Sequence, residues 1–200
     1  MKYFSGFSLS NEAVLFKPYF IDSDYCVAGF SYGAQKAFEF VYQSKERVDR
    51  LILLSPAFFQ TQKPSFIRAQ LRYFEAGQEA YVNQFLSNVS YPSSVDLCSY
   101  LEVGTKEALE TLLGYTWDEE KIQKILQRGT TIEVFFGEDD KIIESKKAFD
   151  FFAPLTTTYY IKRAGHLLPV SYTHLRAHET SSSISYAVFC LKRGGGGGGG

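Results

Sequence analysis

Several short stretches of this chain are apolar almost continuously, where a half-exposed strand would alternate. Residues 25–30 read YCVAGF, 48–56 read VDRLILLSP and 131–137 read TIEVFFG. Residues 1–7, MKYFSGF, and 156–165, TTTYYIKRAG, have the same aromatic and β-branched character. A strand that is apolar on both sides has to be covered on both sides. Helical patterns lie between most of these runs. GAQKAFEFVYQSKERV follows the strand at 25–30, with Ala37, Phe38, Phe40 and Val41 on its inward side, and SKKAFDFF follows Glu144. Buried strands spaced by helices admit few arrangements. The fold class expected is α/β, with a mostly parallel sheet, helices on both faces and right-handed crossovers.

Two hundred residues suffice to bury one sizeable core, so a single domain is expected. The 21 Lys and Arg nearly balance the 22 Asp and Glu. Neither sign dominates, which argues against nucleic acid or a membrane surface as partner. No run approaches the roughly 18 apolar residues of a spanning helix. The opening MKYFSGFSLSNEAV turns polar too early for a signal peptide. Cys26, Cys98 and Cys190 are odd in number and scattered, the pattern of neither a disulfide framework nor a metal knuckle. A cytoplasmic, monomeric protein is the expectation.

Composition changes after Leu168. PVSYTHLRAHETSSSISYAVFCLKR is rich in Ser, Thr and His, lacks a clear period and runs into seven glycines. VSYTHLRAHET resembles the translation of a sequencing-library adapter, and a string of G base calls would translate as polyglycine. Residues 169–200 are therefore expected to be a non-native, disordered tail and are set aside. His174 and His178, four apart and followed by Glu179, imitate a metal site there. They lack the H-E-x-x-H order and a third ligand, so no metal is expected. The remaining body, 1–168, is mildly acidic and has one histidine, His166.

Between residues 63 and 129 the strand signal vanishes. SFIRAQLRYFEAGQEAYVNQFLSNV reads as one or two amphipathic helices, stopped near 88–92. SVDLCSYLEVGTKEALETLL and TWDEEKIQKILQRG read as further helices, the last with Thr116 or Asp118 as cap and Gly129 as stop. A helical insert of this length between two core strands is the pattern of a cap over an active site. The plainer reading is ordinary packing helices.

Gly29-Phe30-Ser31-Tyr32-Gly33 is a G-x-S-x-G sequence with an apolar strand before it and an Ala-containing helix after it. A serine at such a corner sits on strained backbone, and its neighbours must be small so that strand and helix can approach. The helix start beside it offers free N–H groups to an oxyanion. A serine hydroxyl needs a base to take its proton and an acid to orient that base. His166 follows the last apolar run, and Gly137-Glu138-Asp139-Asp140 follows the one before. The order Ser31, Asp140, His166 is that of α/β-hydrolases. Asp140 is favoured over Asp139 because it fills the third place after Gly137, as the acid does in G-x-x-D loops of this fold.

Taken together, FSGFS near the start, VAGFSYGAQKA, LILLSPAFFQ, FFGEDDKI and AGHLL make the body similar to the short pimeloyl-acyl-carrier-protein methyl ester esterases of biotin synthesis, the BioV type. Phe4-Ser5-Gly6-Phe7-Ser8 resembles the H-G-W loop of carboxylesterases, with Ser5 in place of the histidine. The resemblance implies an α/β-hydrolase fold with a shortened N-terminus. It implies cleavage of the methyl ester on a carrier-bound pimeloyl chain to release methanol. Ser31 would be the nucleophile, His166 the base and Asp140 the acid. Tyr32 and Phe7 would be the oxyanion donors, and no cofactor would be required. The partner would be acidic acyl carrier protein, which calls for a basic docking face. Arg68 and Arg72 on one helix, and Lys121, Lys124 and Arg128 on another, are candidates, with solvated helix charges as the plainer reading. Phe58, Phe59, Phe66, Tyr73 and Phe74 are candidates for an acyl channel, against plain core packing. A general short-chain carboxylesterase or thioesterase, and a non-catalytic binding module on the same fold, are the alternatives.

Overall fold

A computed structural model describes residues 1–93 and 95–168. The tail at 169–200, with His174, His178 and Cys190, lies outside the described residues. Among the described residues five strands form one parallel sheet: β1 (Lys2–Phe4), β2 (Cys26–Phe30), β3 (Arg50–Leu54), β4 (Thr131–Gly137) and β5 (Thr157–Ile161). Their order in the sheet is their order in the chain. Each apolar run of the sequence supplies one of them. β2 is buried at every position and β3 at all but Arg50, as the absence of alternation requires.

The two faces of the sheet are covered differently. From β2 to β5 neighbouring strands are taken in order with crossovers of one hand, so successive helices fall on the same side. Helices α1 (Tyr32–Gln43) and α6 (Ser145–Phe152) share that side. Phe40 packs on Phe4 at 5.6 Å, and Phe152 packs on Phe136 at 5.9 Å. The opposite side is covered, among the described residues, by a 3-10 helix at Glu12–Tyr19 in the link from β1 to β2, which therefore departs from the single crossover hand expected. Its Phe16 lies 4.7 Å from Phe30, and its Tyr19 lies 5.1 Å from Phe135.

Between β3 and β4 the chain forms α2 (Pro64–Ala76), α3 (Gln78–Ser90), α4 (Lys106–Gly114) and α5 (Glu119–Gln127). Pro64 begins α2, where a missing N–H costs nothing, and Gly77 divides it from α3. Asp118 caps α5, its carboxylate accepting from the N–H groups of Glu120 and Lys121. Gly129, at φ 87, ends the segment in the left-handed region. The helix expected across SVDLCSYLEVGTKEALETLL is shorter than its pattern. Only a 3-10 turn at Cys98–Tyr100 precedes α4. The intervening backbone is taken by residues 8–10, which bridge to it through Ser10 N–H to Tyr100 and Glu102 N–H to Ser8. Among the described residues, no helix is long and apolar enough to cross a membrane.

Candidate active site

Ser31 is the single residue between β2 and α1. Its φ of 53° and ψ of −114° lie outside the regions a side chain ordinarily tolerates, a strain of about 1–3 kcal/mol that its surroundings must hold. Both of its backbone groups are engaged. Its N–H donates to the Leu54 carbonyl at 2.9 Å, and its carbonyl accepts from Ala34 and Ala57, both at 3.1 Å. The flanking glycines meet a steric demand. A Cβ on Gly29 would collide with the Gly33 carbonyl, and one on Gly33 with the Phe4 carbonyl. The corner is therefore pressed from below by its own helix and from the side by β1.

His166 and Asp140 arrive from the loops after β5 and β4. His166 Nε2 lies 2.9 Å from Ser31 Oγ, and His166 Nδ1 lies 2.7 Å from Asp140 Oδ2. The His166 and Asp140 side chains have no exposed surface, and Ser31 is 1% exposed. Asp140 is oriented by the chain itself, since Oδ1 accepts the N–H groups of Ile142 at 2.7 Å and Ile143 at 3.1 Å. An ionised carboxylate only accepts, so Nδ1 of His166 donates to it and Nε2 is left as acceptor for the serine proton. Asp139 is exposed, and its contribution is a backbone N–H to the Ala164 carbonyl at 2.8 Å. It makes no side-chain bond to His166.

Sequence reasoning missed two buried polar residues around this row. Ser55, wholly buried after β3 at φ 40, donates through Oγ to the His166 carbonyl at 2.6 Å. Glu12, also wholly buried, accepts through one carboxylate oxygen from the Gly6 N–H at 2.8 Å and the Tyr3 hydroxyl at 2.9 Å. Burial, reinforced by the Glu12 carboxylate, pushes the Tyr3 phenol up and keeps it a donor. Glu12 belongs to no motif, and Ser55 stands in the LILLSPAFFQ run with no role attached to it. Each is known only by the backbone group it meets.

Two N–H groups are the expected oxyanion donors, those of Tyr32 and Phe7. That of Tyr32 is the first of α1 and has no acceptor within the helix. That of Phe7 has no acceptor among the described residues. The Phe7 ring is buried against Phe85 at 5.6 Å and Phe74 at 6.3 Å, with Gly104 packed on its edge. Ser8 Oγ also accepts the Gly104 N–H at 3.0 Å. The helical segment thus clamps the loop after β1.

A cavity of about 800 Å³ opens between α2, α3, α4 and the residues after Asp140. Of the five aromatic residues proposed for a channel, Phe59, Phe66 and Tyr73 line it. Phe58 and Phe74 do not; they pack into the core against Phe152 and Phe7. The five cationic residues also divide. Lys121 pairs with Glu39 at 2.7 Å, and Arg128 donates to the carbonyls of Val41 at 2.7 Å and Ser44 at 3.0 Å, closing the end of α1. Arg68, Arg72 and Lys124 are exposed and have no ion pair among the described residues.

No protein-family model matches the chain, and no curated protein matches it. Solved structures do. MenH from S. aureus is similar with a TM-score of 0.59 at 14% identity, over 88% of this chain and 90% of that one. E-2-(acetamidomethylene)succinate hydrolase gives a TM-score of 0.55 at 12% identity, over 90% and 88%. A carboxylesterase from Bacillus subtilis gives 0.49 at 21% identity, and this chain spans 57% of its length. At such identities the likeness concerns architecture, and the chain has the α/β-hydrolase fold.

Proposed function

We propose that this chain is a serine carboxylic ester hydrolase that removes the methyl group from the distal ester of a pimeloyl chain borne by acyl carrier protein. One observation carries the hydrolytic part: the buried, hydrogen-bonded row from Ser31 through His166 to Asp140. Ser31 Oγ attacks the ester carbonyl while its proton passes to His166 Nε2, and Asp140 holds the resulting imidazolium. The tetrahedral oxyanion is received by the Tyr32 and Phe7 N–H groups. The carbon–methoxy bond then breaks, and His166 protonates methoxide to methanol. Water next attacks the acyl-serine and gives one proton to His166; the acyl–Oγ bond then breaks, His166 returns that proton to Ser31 Oγ, and the pimeloyl acid leaves and ionises in solvent. Every step uses groups of this chain and water.

The substrate assignment rests on the sequence likeness at the elbow and the SPAFFQ segment, and the cavity is compatible with it. An extended chain could lie along the stacked rings of Phe59 and Phe66 beside α2, which also carries Arg68 and Arg72 for an acidic carrier. The helical segment 63–129 would then act as a cap.

A serine-directed fluorophosphonate should label the wild-type protein and leave Ser31→Ala unlabelled, and that variant should lose ester hydrolysis. A folded wild-type protein that neither labels nor hydrolyses any ester sinks the hydrolase reading and favours a binding module. For the substrate, the double variant Arg68→Ala/Arg72→Ala should lose roughly tenfold in kcat/KM on the carrier-linked methyl ester and nothing on p-nitrophenyl butyrate. Unchanged activity on both would leave a general short-chain carboxylesterase.

A further inference from the structure

The Phe7 N–H can serve as an oxyanion donor only if its peptide plane is held in one orientation. The residue on which that plane turns is Gly6, which has no Cβ to restrict it. The Ser5 side chain makes no hydrogen bond among the described residues, so an anchor for the loop must come from elsewhere.

The structure supplies one from the far side of the loop. Gly6 is held at both ends. Its carbonyl accepts the Leu9 N–H at 3.3 Å, and its N–H donates to Glu12 at 2.8 Å. In a trans peptide the N–H points opposite to the carbonyl. The Gly6 carbonyl bond therefore turns the Phe7 N–H away from Leu9, and the Glu12 bond fixes the preceding plane. The Glu12 oxygen is braced in turn by the Tyr3 hydroxyl on β1, at 2.9 Å.

The burial of Glu12 sharpens the point. It has no exposed surface, and its second oxygen, Oε2, is buried without a hydrogen-bond partner among the described residues. A desolvated carboxylate with an idle oxygen is unfavourable beside an apolar residue of the same shape. It is understandable where the working oxygen meets a need that no apolar side chain can meet. Here that need is a fixed acceptor for a glycine N–H one residue before the donor.

We infer that Glu12 is a positioning residue for the oxyanion site: its carboxylate locks Gly6 and so aims the Phe7 N–H at the carbonyl that Ser31 attacks. The inference rests on the hydrolase reading above. Glu12 touches no reacting atom and acts through the backbone.

Two variants separate this role from support of the fold. Glu12→Gln retains an oxygen able to accept from both Gly6 and Tyr3. Glu12→Met fills the same space with no comparable acceptor. Loss of a whole oxyanion donor costs on the order of 100–1,000-fold in kcat. Misaiming one should cost Glu12→Met about 10–100-fold in kcat on p-nitrophenyl butyrate, with KM within about twofold. Its affinity for a trifluoromethyl ketone, which forms an oxyanion on Ser31, should fall by the same factor. Glu12→Gln should recover to within about threefold of wild type. Glu12→Met at wild-type kcat, or Glu12→Gln as impaired as Glu12→Met, overturns the inference. So does a loss that falls on thermal stability while kcat and ketone affinity of the folded fraction stay unchanged. Failure of the hydrolase reading would look different, because the wild-type protein itself would turn over no ester.

Discussion

The replacement of Asp140 by asparagine tests the site most sharply, because the structure fixes what the amide can do. All three bonds to this carboxylate come from donors: His166 Nδ1 on Oδ2, and the N–H groups of Ile142 and Ile143 on Oδ1. Asparagine offers one oxygen and one NH2. If the NH2 faces Ile142 and Ile143, it opposes two buried N–H donors and leaves them unpaired, at about 1–3 kcal/mol each. If the oxygen stays there, the NH2 faces His166 Nδ1. The second placement costs less, and it forces Nδ1 to accept. The ring proton then moves to Nε2, which can no longer take the proton of Ser31. Such a tautomer change in a serine triad lowers kcat by about 10⁴, equivalent to about 5 kcal/mol of barrier. The assay is kcat on p-nitrophenyl butyrate at neutral pH, with circular dichroism and a melting curve to confirm the fold. Asp139→Asn is the matched control and should stay within about twofold, since its side chain makes no bond to the row. A folded Asp140→Asn protein within tenfold of wild-type kcat would refute the reasoning, as would an equal loss in Asp139→Asn.

Two further outcomes follow from the corner and its supports. Ser55→Ala leaves the buried His166 carbonyl without its 2.6 Å donor; urea unfolding should register a loss of about 1–3 kcal/mol, and kcat should fall as the His166 loop loosens. Gly33→Ala drives a Cβ into the backbone carbonyls of Phe4 and Ser5. That variant should lose ~3 kcal/mol in the same measurement and fail to label with fluorophosphonate, whereas a stable, fully labelled protein would show that β1 can yield.

The amino-acid order alone determined the strand runs, the serine corner and the sequence of serine, acid and histidine. These are local or ordinal properties. A strand buried on both sides has to be apolar throughout, a tight strand-to-helix corner has to be flanked by glycine, and both requirements fall within a few neighbouring positions. The helix boundaries were less legible at residues 95–105. There the periodic pattern continues, but the backbone pairs instead with residues 8–10, across more than 90 positions of chain.

Tertiary structure alone decided which polar groups serve the site. Asp139 and Asp140 are adjacent and chemically alike, and the turn after β4 sends one to solvent and the other to His166. Ser55 is unremarkable in sequence until the chain folds back 111 residues later to bring the His166 carbonyl to it. Arg128 resembles a surface charge until it meets the open carbonyls of α1, 87 residues away at Val41. Glu12 gives no sign that it will be wholly buried. A hydrogen bond is specified by proximity and direction in space, and chain order constrains neither over such separations. Burial then sets its worth, because a polar group removed from water must find its partner inside the fold.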